Sequence, residues 1–329
     1  MKFGERQVDE FQFINTIKQN YYRQSSVVKG IGDDAAVFRQ NTKDIVTAVD
    51  TFVEGVHFRK DTMSAYDIGF RALVANISDL AAMGAQPAFY LVSIVFPSHW
   101  SPQEVQHIFQ GMKAIGRSYN MDLIGGDTVS GNELVLTITV IGYVEKAQAR
   151  YRHHARAGDI VFVTGTLGDS QAGYHIITNQ KKYKDAAYYT ERHRRPVPRV
   201  DFALGIPRTV RVALNDVSDG IANEAAEIAT ASDVSMQLFD EAIPVHESFH
   251  QFSKSKQYQW KYFGGEDFEL IGTVAATNWD ILVDTAKRVN LQLTQIGKVF
   301  YEPEYNHVYI NKGNQQLERL LQKGYNHLK

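Results

Sequence analysis

Apolar positions in this chain repeat with two periods, and the switches between them mark out its elements. Over residues 65–84, Leu73, Ile77, Leu80 and Met83 keep the i, i+3, i+4 spacing of a buried helical face, with Gly84 as a stop. Asn76 and Asp79 share a second face of that helix. Residues 134–144, LVLTITVIGYV, alternate as a strand does. The same reading predicts helices over 9–22 and 101–119, the latter with Ser101 as cap and Pro102 at its first position. Further helices are predicted from about Ser170, from Gly220, over 277–288 and at the C-terminus. Strands are predicted at 44–52, 89–96, 159–165, from Val212, after Asp267, and at 292–299 and 307–311, with a strand–turn–strand at 27–39. Strands alternating with helices predict the α/β (α+β) class. The polar, basic stretch 145–157 predicts a boundary between domains 1–148 and 149–329.

Composition narrows the function. The chain has 329 residues, 44% of them hydrophobic, enough for two globular domains. Thirty-five basic against 37 acidic residues leave a net charge of -2, which argues against a nucleic-acid footprint. The absence of cysteine excludes disulfides, thiolate zinc sites and cysteine nucleophiles. The opening MKFGERQVDEF carries charges where a signal peptide needs an apolar core, and no apolar run approaches a membrane span. A soluble, cytoplasmic protein is the expectation.

Candidate chemistry lies in a recurring arrangement of glycines followed by acids. Gly30 and Gly32 precede Asp33-Asp34; a strand ends in Asp50, with Glu54 and His57 just beyond; Gly125-Gly126 precede Asp127. Asp216 and Asp219 bracket Ser218 before Gly220 opens a helix, and Gly264-Gly265 precede Glu266-Asp267. Each alone reads equally as an Asp-rich turn or a helix cap. Together with Asp79, so many carboxylates imply hard divalent cations and a polyanion, for which Mg²⁺ and a nucleoside triphosphate are the natural candidates. The run Arg150, Arg152, His153, His154 and Arg156 reads as a solvated linker or an anion clamp. GTLGDS at 165–170 lacks the P-loop pattern, and Gly297-Lys298 is followed by Val299, so a P-loop is excluded. A zinc-hydrolase alternative rests on His246-Glu247-Ser248-Phe249-His250, an HExxH match in the first turns of a short helix after Pro244, with Glu266 as a formal third ligand.

Seven segments in order carry a resemblance: GIGDDAAVF, VDTFVEGVHF, NISDLAAMGAQP, LIGGDTVSG, VTGTLGDSQAG, NDVSDGIANE and GGEDFEL. Over nearly the whole chain they closely resemble the thiamine-monophosphate kinase family, within the superfamily typified by aminoimidazole ribonucleotide synthetase. The resemblance implies a two-domain fold: an N-terminal ATP/Mg-binding domain pairing its sheet across a homodimer, and a C-terminal α/β domain, with ATP between the domains. It implies Mg²⁺ ligands at Asp34, Asp50, Asp79, Asp127, Asp216 and Asp219, with ATP near Tyr119, Gly126, Arg152 and Ser218. It implies thiamine phosphate near His57 and Glu266. Catalysis is expected to rest on Asp50, Asp79, Asp127 and Arg152. Two departures stand out. The family often has Ser-Thr before the aspartate that is here Asp50; this chain has Ala48-Val49, so Val49 can offer metal only its carbonyl. Gln322 stands where the family often places an aromatic on the substrate, leaving Trp260 or Tyr325 to stack instead. The implied reaction is in-line transfer of the ATP γ-phosphoryl to thiamine monophosphate; another ATP-dependent reaction of the superfamily is the alternative.

Overall fold

A computed structural model describes residues 21–29, 37–38, 42–179, 181–303, 305–313 and 317–321, with backbone alone at 28, 29, 37 and 38. The expectations for Asp33, Asp34, Gln322 and Tyr325, and for residues 9–20 of the first helix, lie outside these residues. The chain forms two compact units, Met1–Asn76 with Pro87–Tyr143, and Ile77–Gln86 with Val144–Lys329.

In the first unit, β1 (Val27–Lys29) pairs with β2 (Val37–Phe38). A four-stranded sheet is ordered β3-β6-β4-β5, from β3 (Lys43–Val53), β4 (Gln86–Pro97), β5 (Asp122–Gly131) and β6 (Val135–Glu145). Helix α1 (Ala65–Ala82) is buried on nearly every side, so its period is masked by small apolar residues such as Ala72, Val74 and Ala75 as much as shown by Leu73, Ile77 and Leu80. It stops as expected: Gly84 has φ +65, and a Cβ there would meet Arg150 Cγ at 2.8 Å. Helix α2 (Pro102–Ser118) begins with a full capping box, in which Ser101 caps the Glu104 N–H and the Glu104 carboxylate accepts the Ser101 N–H at 2.7 Å.

Two predicted strand ends are corrected. Asp50 and Asp127 lie within strands. β3 runs on to Val53, and β5 continues through Gly125-Gly126-Asp127 because β4 lies parallel to it, with Ser93 opposite Asp127. Gly126 is required by that pairing, since a Cβ there would sit 1.9 Å from the Val92 carbonyl oxygen.

The second unit holds a seven-stranded sheet, ordered β13-β12-β9-β11-β7-β10-β8. Its strands are β7 (Asp159–Thr164), β8 (Val212–Asp216), β9 (Ser235–Phe239), β10 (Leu270–Ala275), β11 (Leu293–Phe300), β12 (Val308–Asn311) and β13 (Leu317–Arg319). All neighbours run antiparallel except β9 and β12. Residues 317–319 form a strand because the edge of β12 offers them a ladder, and residues 322–329, toward the predicted C-terminal helix, lie outside the described residues. Helices α3 (Asp169–Thr178), α4 (Ala186–Arg194), α5 (Val200–Gly205), α6 (Ile221–Ser232), α7 (Lys254–Phe263) and α8 (Trp279–Arg288) complete the unit. Ala222, Ala225 and Ala229 on α6 pack with Val161, Val163, Ile271 and Ile296 of the sheet in one apolar core. The fold is thus mixed α/β, with the helices added to a mostly antiparallel sheet in this unit.

Candidate functional site

In the second unit two acidic loops lie side by side. β8 ends at Asp216, and Gly220, at φ +101, turns the chain into α6; a Cβ on Gly220 would meet backbone atoms of Phe263 at 2.8 Å. The loop 264–269 zips onto residues 217–218. The Glu266 N–H donates to the Ser218 carbonyl at 2.7 Å, the Phe268 N–H to the Val217 carbonyl at 3.1 Å, and the Val217 N–H to the Glu269 carbonyl at 2.7 Å. Ser218 and Glu266, one implied for nucleotide and the other for substrate, are thereby neighbours.

Glu224, which the sequence did not single out, organises the first loop from the opening turn of α6. It is 3% exposed. Its Oε1 accepts the Asp219 N–H at 3.1 Å and the Ser218 hydroxyl at 3.4 Å, and its Oε2 accepts from Asn215 Nδ2. Asn215 in turn accepts Arg152 Nε at 3.0 Å, and Arg152 pairs with Glu227 at 2.9 Å. Arg152 is therefore held beside Asn215 with about half its side chain exposed. Asp216 accepts the Ser78 hydroxyl at 2.9 Å, a second contact the sequence did not anticipate.

In the first unit, Asn76 is fully buried and its side-chain oxygen accepts the Asp50 N–H at 3.1 Å. The amide for which a metal was one conceivable partner is thus used to hold β3 at Asp50. Val49, on the opposite face of the strand, is 59% exposed. His57 lies in a tight loop and its Nδ1 accepts the Val53 N–H at 3.0 Å, which in the neutral ring assigns the proton to Nε2. The loop is braced by Glu54, whose carboxylate accepts Trp100 Nε1 at 2.9 Å and the Leu134 N–H at 3.1 Å, with His99 Nε2 at 3.0 Å. Gly126 and Asp127 are exposed, and Asp127 Oδ1 accepts the Thr128 N–H at 2.9 Å. Tyr119 is half-buried at the C-terminus of α2.

Among the described residues, no group of three or more His, Asp or Glu side chains is arranged to hold a metal ion. Of the implied ligands, Asp50 and Asp127 fall in the first unit and Asp79, Asp216 and Asp219 in the second. The donor chemistry of the second unit nonetheless fits a hard cation. Burial, then the charges of Asp216, Glu227 and Asp219, push the Glu224 carboxyl up to about 9. Carboxylates that repel one another in this way are relieved by a divalent ion with oxygen ligands.

The zinc alternative fails on geometry. His246 precedes any helix, and only a 3₁₀ turn, Phe249–Gln251, follows. His246 stacks on Tyr188 at 4.1 Å and its Nδ1 contacts the Ser248 hydroxyl, while His250 Nδ1 contacts the Glu247 carbonyl. The i, i+4 face that HExxH requires does not form. Trp260 is no substrate stacker either: it is 9% exposed, packed against Phe249 and Phe252.

Comparison with known proteins agrees with this architecture. Residues 32–144 match the family model of the AIR synthase related protein, N-terminal domain, and residues 156–310 match that of the C-terminal domain. The chain is 44% identical to the thiamine-monophosphate kinase of Bacillus subtilis (strain 168), over 98% of this chain and 100% of that protein. The crystal structure of thiamine-monophosphate kinase from Stenotrophomonas maltophilia K279a superposes with a TM-score of 0.79 at 31% identity, covering 92% of this chain and 95% of that one. The structure of AaThiL complexed with AMPPCP and TMP superposes at 0.73 with 27% identity, covering 97% and 100%. The chain belongs to the thiamine-monophosphate kinase family.

Proposed function

We propose that this protein transfers the γ-phosphoryl group of ATP to thiamine monophosphate, giving thiamine diphosphate and ADP. The observation that carries this reading is the zipping of the Ser218 loop onto the Glu266 loop, which makes neighbours of the groups assigned to the nucleotide and to the phosphate acceptor. The AMPPCP and TMP of the AaThiL complex are the matching ligand pair in a protein that this chain covers in full.

The nucleophile is an oxygen of the acceptor phosphate. A phosphate monoester has its second pKa near ~6, so the group is largely dianionic at neutral pH and needs no strong base. Arg152 offers a guanidinium to the nucleotide phosphates, steadied by Asn215 and Glu227. His57 offers its Nε2–H to the acceptor, and Glu266 faces the cationic thiamine portion. Mg²⁺, when bound, would be held by Asp34, Asp50, Asp79, Asp127, Asp216 and Asp219, with the Val49 carbonyl completing the set. What the ions supply when bound is neutralisation and alignment of the two phosphates. Gln322 is assigned to the acceptor in place of the aromatic common in the family.

The protein works as a cytoplasmic homodimer, its N-terminal domain ending near residue 148. Ile45 and Val49 on β3 and Val129 on β5 are about half exposed, as suits a sheet that meets a second copy. No helix among the described residues is long and apolar enough to cross a membrane. The test is a mass-spectrometric product assay with purified protein, ATP, Mg²⁺ and thiamine monophosphate. Thiamine diphosphate formed with equal ADP, and none from free thiamine, supports the reading. ATP bound without diphosphate formation overturns it.

A further inference from the structure

Asp267 is used by none of the roles above, yet it is 2% exposed and flanked by the two strained residues of its loop, Glu266 at φ +67 and Phe268 at φ +52. Its carboxylate accepts the Gly168 N–H at 2.6 Å and the Ser170 N–H at 2.9 Å, in the first turn of α3. That helix has no side-chain cap of its own. Its N-cap is Gly168 at φ +81, where a Cβ would meet Phe249 Cζ at 2.8 Å. The cap is therefore supplied from 99 residues along the chain. The other charged groups around it are already committed: Arg192 and Arg199 bind the Glu269 carboxylate, and Arg192 lies 3.5 Å from Asp169. The far side of the loop is fixed by the Ser218 and Val217 carbonyls, and a Cβ on Gly265 would sit 2.4 Å from the Ser218 oxygen.

A left-handed conformation at a glutamate is costly and persists only where its surroundings over-determine it. Here the fixing points are backbone bonds on one side of the loop and the Asp267 carboxylate on the other. We propose that Asp267 is a positioning residue, which by capping α3 holds Glu266 in the left-handed conformation that presents it to the acceptor. This rests on the assignment of Glu266 to thiamine monophosphate. Asp267 itself touches no substrate; it acts through Glu266.

The experiment is a double-mutant cycle on the full chain with E266Q, D267N and the double variant, measuring KM for thiamine monophosphate, KM for ATP, kcat and the melting temperature. D267N is expected to raise the thiamine monophosphate KM about tenfold, with the ATP KM within about twofold of wild type. The double variant is expected to be no worse than E266Q, because both remove one interaction. Should D267N not fold, D267S, whose shorter side chain does not span the Gly168 and Ser170 amides, carries the same comparison. Effects that add to about a hundredfold overturn the proposal, as does a lowered melting temperature with an unchanged thiamine monophosphate KM, which is the signature of a cap and nothing more. An active wild type whose acceptor KM ignores E266Q overturns it by removing the residue Asp267 acts through. A wild type that makes no thiamine diphosphate brings down the functional reading itself, and the proposal with it.

Discussion

The side-chain oxygen of Asn76 accepts the backbone N–H of Asp50 at 3.1 Å, while its Nδ2 donates to the Ala72 carbonyl at 3.0 Å. A fully buried amide on α1 thus sets the height of β3 at the residue assigned to metal. Asn76→Ala removes this acceptor from the half-buried Asp50 N–H and empties a fully buried site, at about 1–3 kcal/mol. A loss of roughly 2–10 °C in melting temperature is expected, with a higher Mg²⁺ requirement for turnover. Thermal melts and Mg²⁺ titration of activity check both; an unchanged Mg²⁺ requirement would separate Asn76 from the site.

Asp50→Ala, Asp79→Ala and Asp127→Ala are each expected to lower kcat by ~10²–10³. Asp127 is exposed and Asp50 and Asp79 half-buried, so the fold survives each change. Steady-state rates beside circular dichroism test this, and near-native activity in all three variants defeats the metal assignment.

The pH dependence of stability follows from Asp267. Burial first, then the charge of Asp169, push its carboxyl up to about 8, against the helix amides and Arg192, which pull it down. A folded-state value above the unfolded one, near ~4, makes its contribution fully present below about pH 4 and lost as pH rises through about 8. The melting temperature is therefore expected to fall over that window, and less steeply in D267N. Parallel slopes for the two proteins would contradict the shift.

Gly126→Ala tests whether the second glycine of LIGGD serves the sheet. The added methyl meets the Val92 carbonyl at 1.9 Å, and neither backbone can yield. A loss of about 3 kcal/mol or more is expected, read as a lower melting temperature or insoluble product even without nucleotide. A stable variant impaired only in ATP binding would assign Gly126 to the ligand alone.

How far the sequence reaches depends on the range of the interaction. Helix α2 was legible because Ser101, Pro102 and Glu104 are local signals, and α1 because its apolar spacing and Gly84 are too. The paired glycines and acids located both loops of the second unit. Glu224 was not legible: on an alanine-rich helix it reads as a solvated residue, and only the fold brings it under Asn215 and residues 218–219. Asp127 was placed at a strand end because a glycine pair reads as a turn, while the pairing with Ser93 that extends β5 is set by a distant partner. The HExxH match failed for the reverse reason. Five residues have the letters, but Tyr188 and Ser248 give His246 other work.

The order of the large sheet also governs how the chain is made. β7 leaves the ribosome first among its seven strands, yet its neighbours are β10 and β11, the fourth and fifth in chain order. The α3 amides likewise await a carboxylate 99 residues downstream. At about 5–20 residues per second, β7 spends on the order of ten seconds with both edges open. Until β10 emerges, the open edges of β7 are free to pair wrongly, so slow closure of this sheet is where misfolding would start.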